Sequence, residues 1–345
     1  MSGIVGMLVG SPVLCLPNAD RTADDESPLC PVLDRGGYRS PMRSWDARAA
    51  VRTTPRRLIE GREDTLYFSP DLVPATAHPA VQKLPTILFR QLLVQHLYRY
   101  LDFTAKLESV VVNRAALGIA TGAIEVGIPP EMRQDAYKIY CDEAYHTVMS
   151  VDLAHQVELV TGVPPRLPDC PSFLRRLGEL QDAAPDRDRA LMELVFVIVS
   201  ETLISATLQE VPDHPDVAPA VRQVIADHAI DEGRHHAFFA VFLKALWGRL
   251  TSAERLRVGL WVPRLIDAFL RPDLHALAAE LAGYGLTADD VHEVIENVYP
   301  ARVIQADQAR MSRQTLRYFT ELGAFSSAEC VHELHTYGLQ RVTDT

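Results

Sequence analysis

From about residue 84 onward, apolar positions recur at alternating steps of four and three, the repeat that lines one face of an α-helix, whereas no period is sustained before about residue 80. Breaks rich in Pro, Gly and Asp divide the periodic part and predict helices over 84–124, 130–160, 188–210, 217–248, 252–270, 272–283, 287–322 and 326–337. Strand signals are almost absent. The connection from 161 to 188 is long enough to carry the chain from one end of a bundle to the other, and one such crossover is the ferritin-like connectivity. The expectation is an all-α, ferritin-like four-helix bundle over 81–345 with additional C-terminal helices, preceded by an irregular arm over 1–80.

Four of these helices carry polar side chains within otherwise apolar seams. Over 217–248 the seam runs Val221, Ile225, His228, Glu232, His235, Phe239, Phe242 and Leu246. Over 130–160 it runs Met132, Ala136, Ile139, Glu143, His146, Ser150, Leu153 and Val157. Residues three, four and seven apart are neighbours on a helix, so His228, Glu232 and His235 converge, as do Glu143 and His146. Glu108 follows Leu97, Leu101 and Thr104 and precedes Val111 and Ala115, and Glu201 lies among Leu194, Ile198, Ser205 and Leu208. A carboxylate buried in such a seam needs a cation, a proton or a tight hydrogen-bond partner.

The order along the chain is therefore Glu108, Glu143-x-x-His146, Glu201, Glu232-x-x-His235, with His228 as an extra. That is the ligand pattern of carboxylate proteins that hold di-iron or di-manganese in a bundle core. Carboxylate oxygens with imidazole suit iron or manganese better than soft-ligand metals, and iron is favoured where oxygen must be activated. Asp142 and Asp231 each precede a ligand Glu and are placed to accept a hydrogen bond from the ligand imidazole of the opposite motif.

Composition narrows the picture. A net charge of −11 over 345 residues argues against nucleic acid and anionic membranes as partners. The local basic stretch of Arg43, Arg48, Arg52, Arg56 and Arg57 reads as a solvated or self-paired face rather than a docking patch. Cys15, Cys30, Cys141, Cys170 and Cys330 are scattered and form no CxxC, which fits a reducing cytoplasm. No apolar run is long enough to span a bilayer, and the opening residues lack the basic start of a secretion signal. His78, His96, His155 and His236, and the aromatics Tyr137, Tyr140, Tyr145 and Phe238, read as structural.

The ordered set of ligands, with a histidine one turn before the last Glu-x-x-His, resembles the di-iron N-oxygenases that turn amines into nitro compounds. Asp142 to Thr147, Ser200-Glu201-Thr202 and the stretch Tyr67 to Pro79 are similar to that family, and the likeness covers about 73–323. It implies that Glu108, Glu143, His146, Glu201, His228, Glu232 and His235 bind two iron ions, with dioxygen as co-substrate and a small amine, aryl or amino-acid-derived, as substrate. Two electrons per dioxygen must come from an external donor, since no GxGxxG cofactor fingerprint occurs.

In the arylamine members a C-terminal arginine and a tyrosine before the first Glu help seat the substrate, which makes Arg310, Arg313, Arg317 and Tyr100 the candidates here. Ala115, Gly118 and Gly122 would leave room beside the metals or permit close helix packing. A monomer or homodimer fits an oxygenase. The competing readings are a di-iron hydroxylase or desaturase acting at carbon, against which His228 speaks, an iron-storage ferroxidase, and a helical interaction module.

Overall fold

The structure, a computed structural model, describes residues 13–16, 37–61, 65–208 and 214–342, apart from the side chains of 205–208. Cys30, the seam side chains of Ser205 and Leu208, and arm residues 1–12, 17–36 and 62–64 lie outside the described residues. The described residues are mostly helical, and among them the only extended pairing is one parallel bridge, Leu66 to Val217.

The helices are α1 (Thr86–Lys106), α2 (Asn113–Thr121), α3 (Pro130–Thr161), α4 (Ser172–Asp182), α5 (Asp186–Leu208), α6 (Pro219–Arg249), α7 (Ser252–Leu270), α8 (Leu274–Gly283), α9 (Ala288–Val298), α10 (Ala301–Met311), α11 (Arg313–Glu321) and α12 (Ala328–Thr336). α1 and α2 are one rod joined through a π-helical segment, Leu107–Val112. This rod packs on α3, α5 packs on α6, and α6 on α3, which makes the ferritin-like four-helix bundle. The seam residues from Met132 to Val157 on α3 and from Val221 to Leu246 on α6 are all buried, as their spacing requires.

The remaining helices wrap the bundle. α7 lies on α5 and starts at a capping box, where Thr251 and Glu254 each satisfy the other's backbone N–H. No helix among the described residues is long and apolar enough to cross a membrane.

Two predicted elements differ. The crossover from 161 to 188 contains α4, which buries Phe173, Leu174 and Leu177. The Phe173 ring lies tilted 4.5 Å from that of Phe103, and Phe103 lies 5.4 Å from Phe269, so α4 closes an aromatic cluster between α1 and α7. Each of these large apolar side chains contributes about 1.5–3 kcal/mol by leaving water. The expected single helix over 287–322 is three, because Pro300 carries no N–H to continue α9 and the chain turns again at Ser312.

The described residues before α1 form short helical turns and loops that are anchored to the bundle. The turns Pro41–Ser44, Trp45–Arg48 and Ala50–Thr53 lie against α3 and α6. Tyr38 Oη donates to Asp135 at 2.7 Å, and Leu14 N donates to the Arg114 carbonyl at 3.1 Å.

Candidate metal centre

Glu108 lies within the π segment, where the backbone makes one wide turn in an otherwise α-helical rod. Such wide turns are frequent at functional sites. Nothing in the seam pattern signals it, although Val110, Val111 and Val112 are a β-branched run of low helix preference and Ser109 bonds back to the Ala105 carbonyl.

The seven side chains singled out from the sequence converge as two buried groups of four that share Glu232. One group is Glu108, His146, His228 and Glu232, the other Glu143, Glu201, Glu232 and His235, with the ligand atoms of each group within 4.8 Å of one another. His228 Nε2 stands 3.0 Å from Glu108 Oε1 and 3.1 Å from Glu232 Oε1. His235 Nδ1 stands 3.1 Å from Glu143 Oε1 and 3.2 Å from Glu232 Oε1. His146 Nδ1 lies 3.3 Å from Glu143 Oε2.

The other ring nitrogens of His146 and His235 face aspartates. His146 Nε2 lies 3.0 Å from Asp231, and His235 Nε2 lies 3.1 Å from Asp142, so each motif braces the imidazole of the other. Both aspartates are in turn held by the arm, through Trp45 Nε1 to Asp142 at 2.8 Å and Ala50 N to Asp231 at 3.1 Å. Arg234 also pairs with Asp231. The sequence gives no hint of Trp45 or Ala50, because they sit in a stretch without period.

Burial and charge sort the cluster. Burial, then repulsion from Glu232 and Glu143, lifts Glu201 well above the usual carboxylate range. Burial raises Glu108 to about 7 against the pull of His228. Burial also disfavours charge on Glu232 and Glu143, yet His235 and the imidazole hydrogen bonds hold Glu232 well below the ordinary value and Glu143 below it. The three imidazoles are disfavoured as cations by burial, but their carboxylate neighbours win: His146 and His235 are pushed far up and His228 up to about 9. The cluster demands positive charge, and protons take that place whenever a metal does not.

Glu108 Oε2, Glu201 Oε2 and Glu232 Oε2 are buried without a hydrogen bond, and Glu108 Oε1, Glu143 Oε1 and His235 Nδ1 meet only one another or neighbouring cluster groups. Orphaned buried acceptors of this kind call for an ion. Oxygen and imidazole donors in two fused sets fit a pair of hard divalent cations.

A helical bundle with Glu and Glu-x-x-His ligands facing inward from its four rods is the construction of the ferritin-like carboxylate proteins. Within that class, the family model of the p-aminobenzoate N-oxygenase AurF matches residues 39–323, and the chain belongs to that family of oxygenases. It is also similar to the 4-aminobenzoate N-oxygenase of Streptomyces thioluteus, with 24% identity over 251 residues, which is 71% of this chain and 74% of that protein.

A cavity of about 380 Å³ shares one wall residue, Tyr100, with the surroundings of the cluster, and none of the seven cluster residues lines it. Its wall includes His96, Arg99, Tyr100, Phe103, Phe269 and Tyr299. Tyr100 borders the cluster: burial, then the charges of Glu108 and Glu232, raise its hydroxyl far above the ordinary tyrosine value and keep it protonated. Burial and the neighbouring Arg99 hold His96 well below its usual range, hence neutral.

Several expectations are corrected here. Arg310, Arg313 and Arg317 do not line the cavity. Arg310 pairs with Asp307 at 3.7 Å, Arg317 with Glu321 at 3.6 Å, and all three are largely solvent-facing on α10 and α11. The cavity arginines are Arg99, Arg176 and Arg271. Gly118 and Gly122 leave no room for a ligand either: a Cβ on Gly118 would meet the Leu14 carbonyl, and Gly122 ends α2 at φ +81°. Tyr137 and Tyr140 are exposed, not core. His96, read as merely structural, lines the cavity.

Proposed function

We propose that this chain is a non-haem di-iron, O2-dependent N-oxygenase that converts a small aromatic amine to a hydroxylamine, nitroso or nitro product within a biosynthetic pathway. The observation that carries the reading is the pair of fused buried clusters sharing Glu232; a largely apolar cavity of ligand size, walled in part by Tyr100, is the candidate substrate space. The named relative acts on 4-aminobenzoate by its description, which supports an arylamine as substrate class.

Glu108, His146 and His228 would hold one iron, Glu143, Glu201 and His235 the other, and Glu232 would bridge them. When bound, the iron pair supplies dioxygen activation. The protein's own work is positioning. Asp142 and Asp231 fix the orientation and tautomer of His235 and His146, so that each Nδ1 stays available to a metal. Phe103, Phe269 and Leu277 give the cavity apolar walls against which an aryl ring would pack. Tyr100 contributes to the cavity wall, while its buried hydroxyl is kept protonated by burial and the charges of Glu108 and Glu232. Two electrons per dioxygen come from an external donor.

The test is a single turnover. Iron-loaded protein is reduced chemically, exposed to oxygen with a panel of aryl and aliphatic amines, and the products are analysed by mass spectrometry. Gain of oxygen on the nitrogen of an aryl amine is the expected result. Oxygen inserted only at carbon, or iron oxidised with no organic product, would overturn the reading.

A further inference from the structure

All seven cluster residues are buried, at 4% exposure or less, so no protein donor can touch the metal positions directly. Electrons arriving from outside must cross a shell of protein. The two histidine–aspartate arms offer different exits. From His146 the arm passes to Asp231 and ends at the backbone N–H of buried Ala50 and at Arg234. From His235 it passes to Asp142 at 3.1 Å and then, from the other carboxylate oxygen, to the Trp45 indole at 2.8 Å. Trp45 is only partly buried, so two hydrogen bonds join a cluster imidazole to an aromatic ring at the protein edge.

The surroundings of that ring are basic. Arg52 lies over the indole with its guanidinium carbon 5.5 Å from the ring centroid, and it pairs with Asp46 at 4.0 Å. Arg48, one helical turn after Trp45, and Arg43, two residues before it, are exposed and make no ion pair among the described residues. Arg56 and Arg57, further along the same stretch, are instead neutralised by Asp152 at 2.7 Å and Asp227 at 2.9 Å. The unneutralised arginines of this stretch therefore sit beside Trp45, on a chain whose net charge is −11. Local charge of one sign against an opposite background steers an oppositely charged partner.

We propose that Trp45, Asp142 and His235 form the path by which an external protein donor delivers electrons to the metal pair, and that an acidic one-electron iron–sulfur protein docks on the arm face of Arg43 and Arg48. This rests on the amine-oxygenase reading, which supplies the need for two electrons. Each transfer oxidises the donor by one electron and reduces the pair by one, and two transfers complete the supply. No covalent bond is made or broken, and the indole serves as a coupled bridge that is itself neither oxidised nor reduced. The basic stretch is thus divided: its later arginines are self-paired, and its earlier ones form the docking face.

The experiment follows reduction of iron-loaded, oxidised full-length protein by stopped-flow absorbance, with a reduced plant-type [2Fe–2S] ferredoxin or with dithionite. Iron content is measured alongside. Trp45→Phe keeps a ring but removes the indole N–H; Arg43→Glu/Arg48→Glu changes only the surface. Expected for Trp45→Phe is at least a tenfold slower reduction by ferredoxin, with dithionite reduction and iron content within about twofold of the parent. The double arginine variant should show a similar loss at low ionic strength that shrinks as salt rises. A purely bracing role for Trp45 would lower iron content and slow both reductants alike.

Equal ferredoxin rates in the parent and the double arginine variant would overturn the docking face, whether or not Trp45→Phe folds. So would a parent protein that ferredoxin fails to reduce. Normal ferredoxin reduction of iron-replete Trp45→Phe would overturn the path. Chemically driven amine oxidation by the parent stands or falls separately, so failure of this inference is distinguishable from failure of the oxygenase reading.

Discussion

His146 on α3 holds its Nε2 3.0 Å from Asp231 on α6, so the residue preceding one cluster glutamate braces the imidazole of the other motif. The bond fixes Nε2 as the outer nitrogen and leaves Nδ1 turned to Glu143, 3.3 Å away. An aspartate in this place raises the basicity of the ring and sets its tautomer. Asp231→Asn keeps the shape but removes the charge. Metal affinity should fall about 10–100-fold, with helical content unchanged, as read by competition with a chromophoric chelator and by circular dichroism. Parent-like affinity in this variant would remove the role assigned to Asp231.

Glu232 belongs to both groups of four, whereas Glu201 belongs to one. The two carboxylates should therefore fail differently. Glu232→Gln is expected to lose most bound iron from both positions. Glu201→Gln leaves the set of Glu108, His146, His228 and Glu232 intact and should retain about half. Elemental analysis after gel filtration makes the comparison, and equal iron loss in the two variants would contradict the shared-ligand arrangement.

The cluster also sets a pH dependence whose sign can be worked out. His228 is raised from 6.5 to about 9, by its carboxylate neighbours against burial, and Glu108 from 4.5 to about 7, chiefly by burial. In each case the folded chain keeps a proton that the unfolded chain has lost. Stability is thus highest below the unfolded value and drains as pH rises, from 4.5 to about 7 for Glu108 and from 6.5 to about 9 for His228. Chelator-treated protein should melt at progressively lower temperature from about pH 6 to about pH 9. A bound metal takes the place of those protons, so the gap between loaded and stripped protein should widen over the same range. Thermal melts with and without chelator supply the test, and a constant gap would show that these protons are not displaced.

The fold and the cluster were legible in the sequence for one physical reason: both depend on helical spacing, and spacing survives burial unchanged. Glu143 and His146, or Glu232 and His235, share a helix face whatever surrounds them. Their context of Ile139, Ser150, Ile225 and Phe239 already marks that face as inward, and all four are buried here. What could not be read depends on geometry across the chain. Trp45 reaches Asp142 over 97 positions of sequence, from a segment without period. The π turn at Glu108 follows from packing, not from pattern. The arginines of α10 and α11 face solvent, and Pro300 and Ser312 break the single helix expected over 287–322.

Gly118 is a packing position rather than a substrate pocket, and this too can be measured. A Cβ there would come within 2.3 Å of the Leu14 carbonyl and 2.9 Å of Ile124 Cδ1. The first obstacle is backbone, so the arm must shift rather than a flexible side chain. Gly118→Ala should cost about 1–3 kcal/mol of stability through overpacking. It should also loosen the hydrogen bond from Leu14 N to the Arg114 carbonyl, and so expose the arm to limited proteolysis near Leu14. A variant as stable and as protease-resistant as the parent would show that the arm is not seated on α2.

Tyr100 separates binding from folding more sharply. The residue lines the cavity while its hydroxyl is buried without a well-aligned hydrogen bond, Thr104 being its polar neighbour one turn on, and burial with the charges of Glu108 and Glu232 keeps it protonated. A buried donor left in this state costs stability, whereas the same donor paired with a bound carboxylate contributes about 1.5–3 kcal/mol to binding. Tyr100→Phe should accordingly be as stable as the parent, or slightly more so. Its KM for 4-aminobenzoate should nevertheless rise at least tenfold, while aniline, which lacks the carboxylate, should be affected little. A structural tyrosine would show the reverse, with lower stability and equal effects on both amines. Thermal melts and steady-state kinetics on the two substrates decide between them.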